Sequence, residues 1–225
     1  MILTRNILYT ALAIYLLASV AFAEKTDAPE AAIIVPVEQT NPVALGLSPG
    51  TWHGYRLSGG PTDGAALRWT WLETEEHNGR TYQWFETQLT TPNRRLVTKL
   101  LANPARLSEA PRAVLMKVND TPAQSMPNEL RQKAIELLNY AGQTPANSVA
   151  DETIKVIAGT YATQLYTVVA NGLTQKIYLS AELPGIVLTE TSDFRMELIA
   201  TGSDGISAIQ EKPGSASQQR KPDTD

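Results

Sequence analysis

The sequence predicts an α+β protein that is mostly β, with a curved antiparallel sheet and a helix across its concave face. Short aromatic and β-branched runs alternate with turn-forming residues at close intervals. The dipeptide Asn-Gly, a strong signal for a tight hairpin, occurs at Asn78-Gly79 and Asn171-Gly172. One segment near the middle instead has helical spacing. Because a long meander must curl or close to manage its edges, we expect the sheet to be curved.

The predicted strands follow one another along the chain without intervening helices, except at one point. They are 51–58, 65–75, 80–90, 94–102, 112–118, 153–158, a hairpin over 161–182, then 186–191 and 194–201. A regular alternation of strand and helix is absent from the pattern, which argues against a parallel sheet.

The predicted helix covers 128–141. Its apolar positions recur at i, i+4, i+7, i+8 and i+11, which places them on one face: Leu130, Ala134, Leu137, Leu138 and Ala141. Pro127 stands at its start and Gly142 just past its end, as is typical of helix boundaries. The helix is therefore amphipathic and is expected to lie on an apolar surface.

The two ends of the chain are expected to lie outside the folded domain. Residues 1–23 contain one basic residue, Arg5, then an apolar run that ends in Ala21-Phe22-Ala23, which is typical of a secretory signal peptide cut before Glu24. The alternative, an uncleaved anchor, is disfavoured by the short apolar core. We expect a lead-in segment over 24–49, a folded domain over 50–209 and a disordered tail over 210–225.

Composition narrows the classes of partner. The leader indicates export to the periplasm of a bacterium, and no other segment is apolar enough to be a transmembrane segment after cleavage. The chain has no cysteine, so its stability must come from packing rather than from disulfides. With 19 Lys and Arg residues against 23 Asp and Glu residues, it lacks the basic field that a nucleic acid partner requires.

The residues that could carry chemistry are few. The two histidines, His53 and His77, have no spacing typical of a metal site and are interpreted as surface or rim residues. Glu73 and Glu75 share one face of a strand, but Glu75 and Glu76 lead into a turn where solvent is expected. The sequence lacks nucleophile-elbow, zinc-protease and phosphate-loop motifs. We therefore expect no enzymatic activity, no cofactor and no metal.

The aromatic residues are concentrated in the first three strands, which hold all four tryptophans. The alternatives are cross-strand pairs that only seal a core and side chains that line a cavity for an apolar ligand. The candidate cavity-lining residues are Trp52, Tyr55, Leu67, Trp69, Trp71, Tyr82, Trp84, Leu130, Leu137 and Leu138.

The C-terminal strands carry a motif that resembles a known family. It comprises Gly159-Thr160-Tyr161, a strand that ends in Ser180-Ala181-Glu182-Leu183-Pro184-Gly185, and Met196-Glu197-Leu198 in a strand that ends at Gly202. This pattern resembles the outer-membrane lipoprotein-sorting proteins of the LolA and LolB superfamily. The resemblance implies an unclosed half-barrel whose concave face is covered by helices and holds lipids or lipoprotein acyl chains.

Together these observations predict a periplasmic, non-enzymatic carrier for a hydrophobic ligand, either a lipid or a lipoprotein acyl chain. The alternative is a cell-envelope interaction module of the same fold, with a filled core and a protein partner bound at a strand edge.

Overall fold

Eleven antiparallel strands form one open sheet in the part of the chain that the structure describes. The structure is a computed structural model and describes residues 47–104, 111–126, 147–170, 173–180, 182–183 and 185–210. The strands are β1 Trp52–Ser58, β2 Ala66–His77, β3 Arg80–Thr91, β4 Arg94–Ala102, β5 Ala113–Val118, β6 Gln124–Ser125, β7 Asn147–Val156, β8 Gly159–Ala170, β9 Leu173–Ser180, β10 Gly185–Glu190 and β11 Arg195–Gly202.

The sheet consists of two meanders joined by the first and the last strand. Its order is β6-β5-β4-β3-β2-β1-β11-β10-β9-β8-β7. Strands β1 and β11 pair antiparallel at the centre, with Trp52 opposite Gly202 and Ser58 opposite Arg195. The sequence pattern predicts one long meander with a helix inserted near its middle, and it does not predict the pairing of β1 with β11 that divides the strands into two meanders.

The prediction of an α+β protein with helices over a concave face is wrong for the described residues, which are nearly all sheet. Their one helical element is a 3₁₀ turn, Gly60–Thr62, and the rest is open antiparallel sheet and connecting segments. A segment without regular secondary structure, described below, lies on part of one face of the sheet and bonds to buried polar groups there. The predicted helix over 128–141 lies outside the described residues. No helix among the described residues is long and apolar enough to span a membrane.

The sheet is curved in its C-terminal half. The backbone N–H of Ala158, in the turn after β7, donates to the carbonyl of Leu198 in β11 at 3.2 Å. Strands β9 and β10 lie between β8 and β11 in the sheet order, so this contact requires the half-sheet to bend back on itself. A register shift between Ile186 and Leu188 of β10 marks a bulge, which increases local bending.

The Asn78-Gly79 hairpin is confirmed. Both residues have positive φ, 53° and 71°, as a type I′ turn requires. The second Asn-Gly turn lies outside the described residues, but the strands on either side of it pair, with Ala170 opposite Leu173. Strand β7 begins at Asn147, six residues before its predicted start. Its polar run Asp151-Glu152 hides the alternation that a half-buried strand normally shows.

The two faces of the sheet carry different side chains. One, here called the aromatic face, carries Tyr55, Leu67, Trp69, Trp71 and Phe85, all buried in the main core cluster. The other, here called the strap face, carries a row of cross-strand partners on β2 to β5: Thr70, Glu86, Lys99 and Leu115.

Residues 203–210, here called the strap, cross the strap face after β11 without regular secondary structure. The buried carboxylate of Glu86 accepts hydrogen bonds from the backbone N–H groups of Ala208, at 2.9 Å, and Ile209, at 3.2 Å. It also accepts one from the Ser207 hydroxyl, at 2.6 Å. The ammonium of Lys99, itself buried, donates to the carbonyl of Ile209 at 3.1 Å. Both charged side chains therefore use the strap backbone to satisfy their hydrogen bonds away from water.

Ile209 anchors the end of the strap. Its side chain is 0% exposed and packs with Val97, Leu115 and Ala123 in a separate core cluster. Three positions earlier, Ile206 is 81% exposed. The side chain of Ile209 thus packs the end of the strap against the sheet, whereas that of Ile206 in the same segment is exposed.

We expect Ile209→Ala to lower the free energy of unfolding by about 2–4 kcal/mol, because it leaves a cavity in a packed cluster. The matched control Ile206→Ala should change it by less than about 0.5 kcal/mol. Urea unfolding followed by tryptophan fluorescence measures both. Equal effects of the two substitutions would contradict the packing of the strap.

Candidate functional site

The candidate site is a cluster of aromatic rings on β1, β2 and β3. The rings of Tyr55 and Trp69 lie 5.0 Å apart and are tilted by 57°. Those of His53 and Trp71 lie 5.1 Å apart at 64°, and those of Trp71 and Phe85 lie 6.4 Å apart at 77°. Period-2 alternation produces the cluster, because His53 and Tyr55 of β1 face the same side as Trp69 and Trp71 of β2.

The ten predicted cavity residues do not share one surface. Four of them lie together on the aromatic face: Tyr55, Leu67, Trp69 and Trp71. Three lie on the opposite, strap face: Trp52, Tyr82 and Trp84. The remaining three, Leu130, Leu137 and Leu138, lie outside the described residues.

The two tryptophans of the strap face are held by polar partners. The indole N–H of Trp52 donates to Asp204 at 2.8 Å, and the guanidinium of Arg68 lies 4.3 Å from the centre of the same ring. The indole N–H of Trp84 donates to Glu75 at 2.7 Å. Sequence reasoning could not separate these indoles from those of the aromatic face, because both sets alternate along strands.

The polar atoms of the aromatic cluster lack such partners. Several are buried and find no hydrogen-bond partner among the residues that the structure describes: His53 Nδ1, Tyr55 OH, Trp69 Nε1, Trp71 Nε1 and Gln83 Oε1. A buried polar atom without a partner costs about 1–3 kcal/mol, so most such atoms in proteins are paired. These five atoms on three adjacent strands form a set of donors and acceptors without partners among the described residues.

Gln83 is positioned by a bulge in β2. The register between β2 and β3 shifts between Trp71 and Thr74, and the Gln83 side-chain amide donates to the carbonyl of Leu72 at 3.1 Å. The same amide donates to the carbonyl of Leu47 at 3.0 Å. Both donated bonds fix the amide and leave its oxygen on the aromatic face.

The interpretation of His53 as a surface or rim residue is wrong, because its side chain is only 1% exposed. Its place in the alternation with Tyr55 and Leu57 could have predicted this burial. His77 is at the turn, where its ring lies 3.0 Å from the Glu75 carboxylate. Gln83 carries no signal in the sequence, since its role depends on the bulge.

The titratable groups of the cluster are uncharged near pH 7. Burial lowers the pKa of His53 from 6.5 to about 4, because the imidazolium would lose its hydration. Burial also raises the pKa of the Tyr55 hydroxyl far above its usual value of 10.0. The cluster therefore combines neutral hydrogen-bonding groups with buried apolar side chains. Among the described residues, no group of three or more His, Cys, Asp or Glu side chains could hold a metal ion.

No protein-family model matches the chain, and no curated protein matches it. Partial structural matches occur among solved structures. One is an exported protein with a YmcC-like fold from Bacteroides fragilis, 9% identical, over 69% of this chain and 96% of that chain, with a TM-score of 0.34. Another is a lipoprotein from Parabacteroides distasonis, 11% identical, over the same shares, with a TM-score of 0.37. A third is MucB, solved in complex with MucA(peri), 10% identical, over 69% of this chain and 51% of that chain, with a TM-score of 0.29.

The burial of His53 predicts a pH dependence of stability. Its pKa is lower in the folded chain than in the unfolded chain, so unfolding takes up a proton between about pH 6.5 and pH 4. The free energy of unfolding therefore has its full value above pH 6.5. It falls by up to about 3 kcal/mol as the pH is lowered to about 4. Urea unfolding at a series of pH values measures this loss.

His53→Gln should flatten the pH dependence in that window, because glutamine does not titrate. His77→Gln, which removes the histidine at the turn, should leave the dependence in place. The explanation fails if wild type and His53→Gln lose stability in parallel.

Proposed function

We propose that the protein binds a hydrophobic ligand, a lipid or a lipoprotein acyl chain, in the bacterial cell envelope, and that it does so without catalysing a reaction. The observation that carries the proposal is the aromatic face, where Tyr55, Trp69 and Trp71 are buried among apolar side chains and hold polar atoms that have no hydrogen-bond partner among the described residues. The pattern of the first 23 residues supports the location, since it is typical of an export signal.

The chemistry of the aromatic face favours a ligand with an apolar body and a neutral polar group. Each buried CH₂ of an acyl chain contributes about 0.8 kcal/mol to binding. An ester or amide oxygen could accept from the indole N–H groups of Trp69 and Trp71, neither of which has a partner among the described residues. Such a ligand would recover part of the free energy that these buried donors forfeit.

The same cluster is poorly suited to acid–base catalysis. A general base works best when its pKa lies near the working pH, and that of His53 is lowered to about 4. Burial shifts the pKa of Tyr55 in the opposite direction, upward and away from the working pH. Binding through neutral groups is what this pair can support near pH 7.

The protein, exported by an expression host and purified under mild conditions, should retain a lipid that native mass spectrometry detects as added mass. It should also take up a fluorescent fatty acid after delipidation. A clean apo mass together with the absence of uptake would contradict the proposal.

The four tryptophans allow the ligand to be located. We expect a brominated fatty acid, which quenches indoles by contact, to quench a variant with Trp52→Phe and Trp84→Phe, since its remaining indoles lie on the aromatic face. The matched variant with Trp69→Phe and Trp71→Phe should resist quenching, because its remaining indoles lie on the strap face. Far-UV circular dichroism checks that both variants are folded, and quenching of the second variant alone would place the ligand elsewhere.

A further inference from the structure

Strand β7 is the longer of the two terminal strands of the sheet within the described residues, and the turn at its end contacts β11 through Ile157 and Ala158. It forms one end of the strand order and runs over ten residues, Asn147–Val156, whereas β6 at the other end has two residues. The side chains of Asp151, Glu152, Thr153 and Lys155 are exposed. An exposed edge of this length is a template for another strand.

The hairpin determines which backbone groups of β7 face outward. A two-residue turn joins β7 to β8, and Val156 and Gly159 close it. The closing pair of such a turn is hydrogen-bonded, and pairs alternate along antiparallel strands. The N–H and C=O groups of Asp151, Thr153 and Lys155 therefore point away from β8. No strand among the described residues pairs with this side of β7.

We propose that β7 pairs antiparallel with β7 of a second copy of this chain, about a two-fold axis at Thr153. In that register Thr153 faces its own equivalent, and Asp151 of each copy lies directly opposite Lys155 of the other. Every outward backbone group of these three positions then gains a hydrogen-bonding partner. Opposite charges directly across antiparallel strands stabilise the pairing.

The charges also exclude the neighbouring two-fold registers. An axis at Asp151 or at Lys155 places each of these charges against itself, and an axis at Glu152 places two glutamates in contact, which is destabilising. An axis at Ile154 brings no opposite charges together. The register centred on Thr153 thus joins opposite charges and avoids like ones.

The resulting dimer is closed and weak. A two-fold contact uses the same strand on both copies, so it ends at two subunits rather than growing into a fibre. One strand pair buries less surface than the roughly 1,200–2,000 Å² of a stable interface, so association should depend on concentration.

Sedimentation velocity over a concentration series tests the charge pairing. We expect wild type to dimerise, and Lys155→Asp and Asp151→Lys each to weaken dimerisation at least about tenfold, since each places like charges opposite one another. The double variant carrying both substitutions should dimerise again. Asp120→Lys, an exposed charge change in the turn after β5, is the matched control and should leave dimerisation unchanged.

Two results of the sedimentation experiment would overturn the proposal. A wild-type chain that stays monomeric throughout the series would mean that the charges protect the edge, and would overturn the proposal. Dimerisation that persists in both single charge variants would place the interface elsewhere and would also overturn it.

The absence of cysteine allows an independent test of the register. In Thr153→Cys the two new thiols lie across the axis, at a separation compatible with a disulfide, so mild oxidation should yield a covalent dimer. Asp120→Cys, equally exposed but away from the edge, should remain monomeric under the same conditions. Equal cross-linking of the two variants would contradict the register.

Discussion

The pairing of β1 with β11 is the constraint on which the rest of the structure depends. It joins the two meanders and places the end of β11 beside Trp52, so that the strap starts where it can cross the strap face. The backbone N–H of Gly205 then donates to the carbonyl of Gly50 at 2.7 Å. A side chain at Gly205 would meet Thr70 at 2.7 Å, so this close approach requires glycine.

The consequence is a sheet whose two faces differ in how their polar groups are satisfied. On the strap face, Glu86 and Lys99 are buried, yet both have hydrogen-bonding partners in the strap. On the aromatic face, Tyr55, Trp69 and Trp71 hold polar atoms without partners among the described residues. The same local alternation builds both faces, but the strap supplies partners to the buried charges of one face, whereas these polar atoms of the other face have no partner among the described residues.

The sequence was most informative where structure is local. The Asn78-Gly79 turn and the bounds of β4 follow from turn chemistry and period-2 alternation, which act over a few residues. The burial of His53 was missed because a single polar residue in an apolar strand was assigned to the rim. The separation of Trp69 and Trp71 from Trp52 and Trp84 was missed because alternation distinguishes two faces without saying what covers each.

The sequence by itself determined that the chain forms antiparallel strands and that consecutive strands pair. It also determined that the aromatic residues are concentrated in the first three strands. Only the tertiary structure decided that β1 meets β11, that the strap covers one face, and that Gln83 reaches the aromatic cluster from beside a bulge. The physical reason is separation along the chain. Local propensities select turns and strands, whereas a contact such as that between Glu86 and Ala208 depends on ordering everything between them, which no short pattern records.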